Sequence, residues 1–227
     1  MTNVDDDRKV RPVLSDPEFK LILSAAMATP FHFLAIRNTS ILCMVRITGK
    51  RREEIASLTR RDIFVEGSNL AMNFKLLKKR HRKTLSDGTI IPAGLPPQII
   101  RYVSLKDPLV YPILDYKNYI DTNYPKSTEF WLHVRPVFGN YVIYPDKGIQ
   151  GRQVYNVVRN AGDLAGVDVW PHLFRETAGA EEIRKDPTPM GMRKVMNRID
   201  VTERTAWNYV ARYVDTMIER EYEKEGE

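Results

Sequence analysis

The chain has 227 residues, of which 35 are Lys or Arg and 29 are Asp or Glu, so its formal net charge is +6. Its single cysteine, Cys43, excludes an internal disulfide framework and any zinc or iron–sulfur site built from several cysteines. The apolar run at 40–45 is too short to span a bilayer, and the aspartates at 5–7 carry the wrong charge for a signal or transit peptide. We therefore expect an intracellular globular protein of a reducing compartment.

The first predicted helix begins near Ser15. Ser15 or Asp16 can cap the free amides of the first turn, and Pro17 fits that turn well. Glu18 favours the positive end of a helix, and apolar residues then recur every three or four positions. Pro30 lies just beyond the predicted end of this helix.

Seven further helices are predicted along the rest of the chain, most clearly where apolar residues recur with the helical period. They cover residues 33–47, 51–58, 109–124, 150–165, 172–185, 188–198 and 202–223. Two strands at 69–77 and 99–105 flank a polar segment with Asp-Gly and Pro-Pro pairs, which predicts a hairpin with an enlarged loop. Shorter strand-like pieces lie near Trp131 and Val142. The sequence thus predicts one continuous α+β domain that is mainly α-helical.

A basic motif follows the second predicted helix, with the sequence TGKRREEIASL at 48–58 and RDI soon after it. A helix that begins directly after glycine is a natural anion site, because its first amides are free. Arg51 at that position adds a planar fork of donors suited to phosphate oxygens. Taken alone, Arg51 and Arg52 would be ordinary surface arginines. The whole motif, with Glu54 three residues after Arg51, favours an anion-binding role.

A second motif, WPHLFRET, lies at 170–177 and continues into a run of small residues. The spacing i, i+3 on a helix puts His172 and Arg175 on one face, so both side chains can reach one phosphate. A His-x-x-Arg pair alone arises by chance. The pair lies downstream of Arg51, with two strands and two helices between them, and this order is stronger evidence for a shared site than the pair alone.

Together these motifs resemble the signature boxes of the tyrosine recombinases, the phage-integrase family. In that family an arginine follows Thr-Gly at a helix start, an acid lies three residues later, and His-x-x-Arg comes further along the chain. The resemblance implies that Arg51 is a catalytic arginine supported by Glu54. It also implies catalytic roles for His172 and Arg175.

The string TAWNY that ends at Tyr209 resembles the family's Thr-x-x-x-Tyr nucleophile motif, and Tyr209 lies 34 residues after Arg175. Tyr213, one helical turn later, is the alternative nucleophile. The family usually has His or Trp shortly before the nucleophile, and this sequence has neither there. Arg198 stands at that place, 23 residues after Arg175, and its neighbour Asn197 is the alternative. Arg198 is equally compatible with a solvated residue at a helix end.

The family also carries a lysine on a hairpin strand. Lys75 fits it best, 24 residues after Arg51, and Lys78 is the alternative if the register differs. The string RYVSL at 101–105 resembles the family's returning strand, Arg-x-Val-Pro-Leu. A basic loop lies between the strands, and we expect it to bind DNA phosphates without sequence preference. Its affinity for DNA should fall as the salt concentration rises, although a purely solvated loop is the alternative. Its DNA-binding candidates are Lys78, Lys79, Arg80, Arg82 and Lys83.

The uneven charge of the chain fits this resemblance. Three aspartates in the first seven residues and an excess of three acids in the last nine leave a net charge of +12 on the body between them. Such a body indicates an anionic partner, most simply nucleic acid, although a solvated basic surface has the same composition. The resemblance implies a catalytic domain at 10–215, preceded by an acidic extension at 1–9 and followed by an acidic helix or tail at 216–227.

The implied reaction is DNA cleavage and rejoining. The Tyr209 hydroxyl would attack a phosphodiester to give a 3′-phosphotyrosyl link and a free 5′-hydroxyl. His172 would be the base, and Lys75 would protonate the leaving oxygen. Arg51, Arg175 and, if it takes the place of the missing His or Trp, Arg198 would stabilise the transition state. No metal or other cofactor is expected, because the arginines supply the positive charge.

The expected partner is double-stranded DNA in the cytoplasm, at the nucleoid. An apolar stripe after the nucleophile predicts self-association as a dimer or tetramer on DNA, and packing within one protomer is the alternative. Two other functions fit the same motifs: a noncatalytic DNA-binding derivative of the family, and an enzyme resembling type IB topoisomerases.

Overall fold

The computed structural model of this chain describes residues 13–77, 83–84, 90–91 and 97–207, and the fold is mainly helical. Seven α-helices are present in these ranges: α1 Asp16–Met27, α2 His32–Thr48, α3 Arg52–Ala56, α4 Tyr111–Asn123, α5 Gly151–Ala165, α6 Pro171–Lys185 and α7 Pro189–Ile199. Seven strands accompany them: β1 Ile63–Glu66, β2 Asn69–Lys75, β3 Lys83–Thr84, β4 Ile90–Ile91, β5 Gln98–Ser104, β6 Leu132–Val137 and β7 Asn140–Gly148. The predicted α+β class with a predominance of helix is confirmed.

Helix α1 begins as its sequence predicts. The Ser15 side chain accepts a hydrogen bond from the Glu18 backbone at 3.4 Å, and the Glu18 carboxylate accepts one from the Ser15 backbone at 2.8 Å. This reciprocal pair satisfies amides that a helix start leaves free. The amide of Leu14 also donates to Thr177 Oγ1 at 3.0 Å, which fixes this end of α1 against α6.

Helix α2 is the centre of the molecule and packs against α1, α4, α5 and α6. Its residues from Ile41 to Val45 are fully buried, and they include Cys43. Burial raises the pKa of the Cys43 thiol to about 12. The helix ends at Gly49, whose φ of 58° lies in the left-handed region that glycine adopts most easily.

The predicted hairpin is present as β2 and β5, which pair antiparallel from Asn69 opposite Ser104 to Lys75 opposite Gln98. Strand β1 pairs on the other side of β2, so the sheet order is β1-β2-β5. The strand-like pieces near Trp131 and Val142 form a second antiparallel hairpin, β6 and β7.

Aromatic packing anchors α3 near its C-terminal end. The rings of Tyr116, Phe130 and Trp131 contact one another, and all three are fully buried. The Trp131 indole N–H donates to the carbonyl of Ile55 at 2.8 Å, which holds α3 on the core. A buried tryptophan needs such an acceptor, and here the acceptor lies one helical turn from Arg51.

A second, smaller apolar cluster joins α6 to α7 and to the helical residues 203–207. Its buried members are Ala178, Ile183, Met192, Val195, Ile199 and Ala206. The predicted helix 202–223 is therefore present over its first residues, and its remainder from 208 onward lies outside the described residues. The acidic extension at 1–9 and the acidic tail at 216–227 also lie outside them. In the part of the chain described, no helix is long and apolar enough to cross a membrane.

Candidate functional site

A cavity of about 530 Å³ opens where the segment before α3 meets the start of α6 and the loop after α7. Four of its lining residues are Lys or Arg, and one, Glu53, is acidic. The lining residues with polar side chains suited to phosphate chemistry are Lys50, Arg51, Arg52, His172, Arg175 and Thr205. The cavity therefore presents a mainly cationic wall to a ligand.

Arg51 lies at the N-cap of α3, and Glu54 fixes it there. The guanidinium Nη1 donates to Glu54 Oε1 at 3.0 Å, and the Arg51 amide donates to Glu54 Oε2 at 3.0 Å. Glu54 is fully buried, whereas the Arg51 side chain is partly exposed to the cavity. Because α3 has only five residues, we assign the affinity for an anion to the Arg51 guanidinium rather than to the helix end.

Arg175 reaches the cavity from α6 and joins three segments. Its Nη1 donates to the carbonyl of Gly49 at 2.9 Å, and its Nη2 donates to the carbonyl of Asp200 at 3.2 Å. These bonds hold a buried guanidinium beside Arg51, whose Nη1 lies 3.8 Å from the Asp200 carboxylate. Charge-assisted bonds to carbonyls orient the cation without adding a negative charge.

His172 lies one turn before Arg175 and is about half exposed. Its Nε2 lies 3.5 Å from Oε1 of the buried Glu176 on the same helix. A carboxylate at this distance orients the imidazole. The half-exposed ring is therefore held at the cavity wall by a carboxylate on its own helix.

The structure brings Arg51, His172 and Arg175 to this cavity, and it places two other candidates elsewhere. Lys75 ends β2 opposite Gln98 and is absent from the cavity wall as the structure describes it. Arg198 lines a second cavity of about 430 Å³, together with its neighbour Asn197. Arg198 Nη1 donates to Glu182 Oε1 at 2.7 Å in that cavity.

Several candidates lie outside the described residues. They are Lys78, Lys79, Arg80, Arg82, Tyr209 and Tyr213. Lys83 is described only through its place in β3. Thr205 lines the cavity, and it precedes the candidate nucleophile Tyr209 by four positions in the sequence.

Two residues at the site were not predicted from the sequence. Lys50 is 1% exposed, and its Nζ lies 5.7 Å from the ring centroid of Phe74 in β2. Burial and the nearby Arg101 guanidinium lower the pKa of Lys50 to about 8. Asp200 follows α7 with a φ of 51°, and its backbone and side chain both approach the site arginines. Neither residue has a sequence signal, because a lysine in a basic run and an aspartate after a helix are ordinary surface patterns.

The described residues contain no group of three or more His, Cys, Asp or Glu side chains that is able to hold a metal ion. The cavity wall presents guanidinium, ammonium, imidazole and hydroxyl groups. Such groups bind and polarise a phosphate and move a proton beside it.

Comparison with known proteins finds similarity among solved structures. No family model and no curated protein matches the sequence. The XerH site-specific recombinase bound to a palindromic difH substrate, in a post-cleavage complex, matches with a TM-score of 0.63 and 15% identity, over 96% of this chain and 54% of that one. The XerA recombinase matches with a TM-score of 0.62 and 18% identity, over 92% of this chain and 65% of that one.

A lambda integrase dimer bound to a COC′ core site also matches, with a TM-score of 0.53 and 12% identity, over 88% of this chain and 47% of that one. This chain therefore spans about half to two thirds of the length of the structures that it resembles. At these identities the likeness is one of fold.

Proposed function

We propose that this chain, which has the fold of a tyrosine recombinase catalytic domain, is a site-specific recombinase or integrase that cleaves and rejoins DNA. The observation that carries the proposal is the meeting of Arg51, His172 and Arg175 at one cavity. These residues come from distant parts of the sequence, and the fold that joins them is that of DNA-cleaving enzymes. Fold alone does not carry a function, so the proposal depends on the site.

In the proposed reaction the Tyr209 hydroxyl attacks a DNA phosphorus atom. Four residues of chain span at most about 14 Å, so Tyr209 is tethered within reach of the cavity that Thr205 lines. A bond forms between phosphorus and the tyrosine oxygen, and the bond between phosphorus and the 5′-oxygen breaks. The product is a 3′-phosphotyrosyl link that conserves the energy of the phosphodiester, so no further cofactor is required.

In this proposal the described side chains supply the charge and both proton transfers. Arg51 and Arg175 bind the nonbridging oxygens, and fixed donors of this kind are worth on the order of 3–4 kcal/mol each in transition-state stabilisation. His172 accepts the proton of the tyrosine hydroxyl, whose ordinary pKa of about 10 makes it a weak nucleophile until it is deprotonated. Lys75 is the proposed donor to the departing 5′-oxygen.

Double-stranded DNA is the proposed partner, and residues 10–215 are the proposed catalytic domain. The XerH and lambda integrase structures that the chain resembles contain bound DNA. The basic loop with Lys78, Lys79, Arg80, Arg82 and Lys83 would add contacts to the DNA backbone. Self-association on DNA as a dimer or tetramer, at the nucleoid, belongs to the same proposal.

The test is covalent trapping on a suicide substrate. A pool of nicked duplexes with a randomised central segment allows the 5′-hydroxyl fragment to diffuse away after cleavage, which leaves the protein attached to DNA. We expect an adduct that resists denaturation with the wild type and with Tyr213→Phe, and no adduct with Tyr209→Phe. Absence of an adduct with wild-type protein that binds DNA would contradict the proposal.

A noncatalytic DNA-binding derivative is the second candidate. It is favoured by the positions of Arg198 and Lys75, because neither contributes to the wall of the candidate cavity in the part of the chain described. Such a protein would shift the duplex pool in a native gel without forming an adduct. Relaxation of supercoiled plasmid without site preference would instead indicate an enzyme resembling type IB topoisomerases.

A further inference from the structure

Lys50 is a charged residue buried in the described structure without a hydrogen-bond acceptor. Its side chain is 1% exposed, and its Nζ has no hydrogen-bond acceptor among the described residues. Its Nζ lies over the face of the Phe74 ring, 5.7 Å from the centroid. Burying an ammonium without an acceptor is costly, so a chain that needed only to fold would place an apolar residue at this position.

The charged groups around Lys50 do not neutralise it. Glu54 from α3 and Asp200 after α7 attract it, whereas Arg101 from β5 and Arg175 from α6 repel it. Both Glu54 carboxylate oxygens already accept hydrogen bonds from Arg51. With Lys50 and Arg51 included, four cations therefore surround the two carboxylates.

We propose that Lys50 is an additional cation of the phosphate site, and that its buried ammonium is balanced when a phosphodiester group enters the cavity beside Arg51 and Arg175. Lys50 is then a positioning residue, because its Nζ lies behind the exposed surface of the cavity and acts on the anion through a low-dielectric wall. The inference rests on the proposed function, since the anion is taken to be a DNA phosphate.

In this role Lys50 lowers the stability of the fold and raises its affinity for anions. Without an anion the ammonium is an uncompensated charge that weakens the fold. With an anion in the cavity the same charge strengthens binding. A lysine with a purely structural role would stabilise the fold and would leave the affinity for anions unchanged, so a single substitution separates the two roles.

The experiment compares the full chain with Lys50→Met, and Lys126→Met is the matched control for the loss of one positive charge at an exposed position. Thermal unfolding is followed during titration with inorganic phosphate, at constant ionic strength set with chloride. We expect K50M to unfold at a higher temperature than the wild type without phosphate and to bind phosphate about tenfold more weakly. K126M should resemble the wild type in both measurements.

The dependence on pH gives a second readout. Between pH 7.5 and 9.5 the wild type should lose affinity for phosphate relative to K50M, because Lys50 loses its proton in this range. Unchanged phosphate affinity in K50M would overturn the proposal. A fold weakened by the substitution, or failure of K50M to fold, would also overturn it, because the proposal states that the lysine costs stability.

The suicide-substrate assay distinguishes this inference from the proposed function. Phosphate binding that depends on Lys50, without an adduct in the wild type, would reject the recombinase function and support the anion site. An adduct in the wild type, combined with equal phosphate binding in K50M, would support the recombinase function and reject the role of Lys50.

Discussion

The two cavities on either side of α6 and α7 use the same residue types in different ways. In the second cavity both cations from α7 have carboxylate partners: Arg198 donates to Glu182 at 2.7 Å, and Lys194 lies 2.7 Å from Asp186. In the first cavity Arg175 donates to two backbone carbonyls, and Lys50 has no hydrogen-bond acceptor among the described residues. The partners therefore distinguish Arg175 and Lys50 from Arg198 and Lys194. They do not separate every cation of the two cavities, because Arg51 in the first cavity pairs with Glu54 and Arg101 in the second has two guanidinium nitrogens without an acceptor among the described residues.

Helix α6 produces this difference because it contributes to both regions. Arg175 lies in its first half, and the acidic pair Glu181 and Glu182 lies in its second half. Seven residues of helix correspond to a rise of about 10 Å, which separates the end that lines the first cavity from the acidic end. Arg198 faces the acidic end, so its charge is used in ion pairs.

The largest expected difference between the two cavities is the effect of removing one arginine from each. We expect Arg175→Met to slow adduct formation on the suicide substrate by about 100- to 1,000-fold, because it removes a fixed donor from the transition state. Arg198→Met should slow it by less than about tenfold. Single-turnover rates of adduct formation measure both effects. Equal losses would place Arg198 in the functional site and would contradict the distinction between the cavities.

The carbonyl of Gly49 orients Arg175, and the packing around Gly49 leaves little room for a side chain. A Cβ built at Gly49 would lie 2.8 Å from Ile199 Cγ2 and 3.0 Å from Ala178 Cβ, at a φ of 58°. We therefore expect Gly49→Ala to lower the free energy of unfolding by about 2–4 kcal/mol, measured in urea. Gly67→Ala is the matched control, because its φ is 59° and a Cβ there meets nothing within 4 Å. Equal losses in the two variants would show that backbone strain alone sets the cost.

Substitution of Lys50 tests the first cavity through the free energy of unfolding. The folded-state pKa of about 8 lies below the ordinary value of 10.5, so the unfolded chain binds this proton more tightly. We expect Lys50→Met to raise the free energy of unfolding by about 2–3 kcal/mol at pH 7. This advantage in the free energy of unfolding should shrink as the pH rises from 8 to 10.5. Above that range the wild-type lysine is neutral in both the folded and the unfolded state. Urea unfolding across this range measures it, and an advantage independent of pH would contradict the assignment.

The smallest expected effect belongs to the ion pair of the second cavity. The Arg198 and Glu182 side chains are both about one-fifth exposed, so their pair is only partly screened by solvent. We expect a coupling energy of about 1 kcal/mol from a double-mutant cycle of Arg198→Met and Glu182→Gln. A coupling energy of zero would mean that Glu182 does not hold Arg198, which would leave Glu181 and the backbone carbonyls as its partners.

Local patterns in the sequence predicted much of the fold. The capping pair at Ser15 and Glu18 and the strands β2 and β5 follow from residues that are neighbours along the chain or across a single turn. Strand β1 was not predicted, because it has only four residues and three of them are exposed, so no apolar alternation marks it. The helix predicted at 51–58 is shorter in the structure, where α3 ends at Ala56.

The candidate site was predictable only in part. The spacing of His172 and Arg175 on one helix face is a local property, and it identified two residues of the cavity wall. The partners of Arg198 and the environment of Lys50 depend on packing between distant segments. Ile47 and Glu182 both contact Arg198, yet they are 135 positions apart in the sequence. A count of residues from Arg175 holds no information about such partners.

The burial of Cys43 has a practical consequence for experiments on this chain. It is the single native cysteine, it lies in the centre of α2, and its thiol has a pKa of about 12. Alkylating reagents act on exposed thiolates, so the native sulfur should stay unmodified in the folded protein. A cysteine introduced at the exposed Leu164 would then accept a fluorescent dye selectively. Labelled protein of this kind would report encounters with DNA in real time without removal of any native side chain from the core.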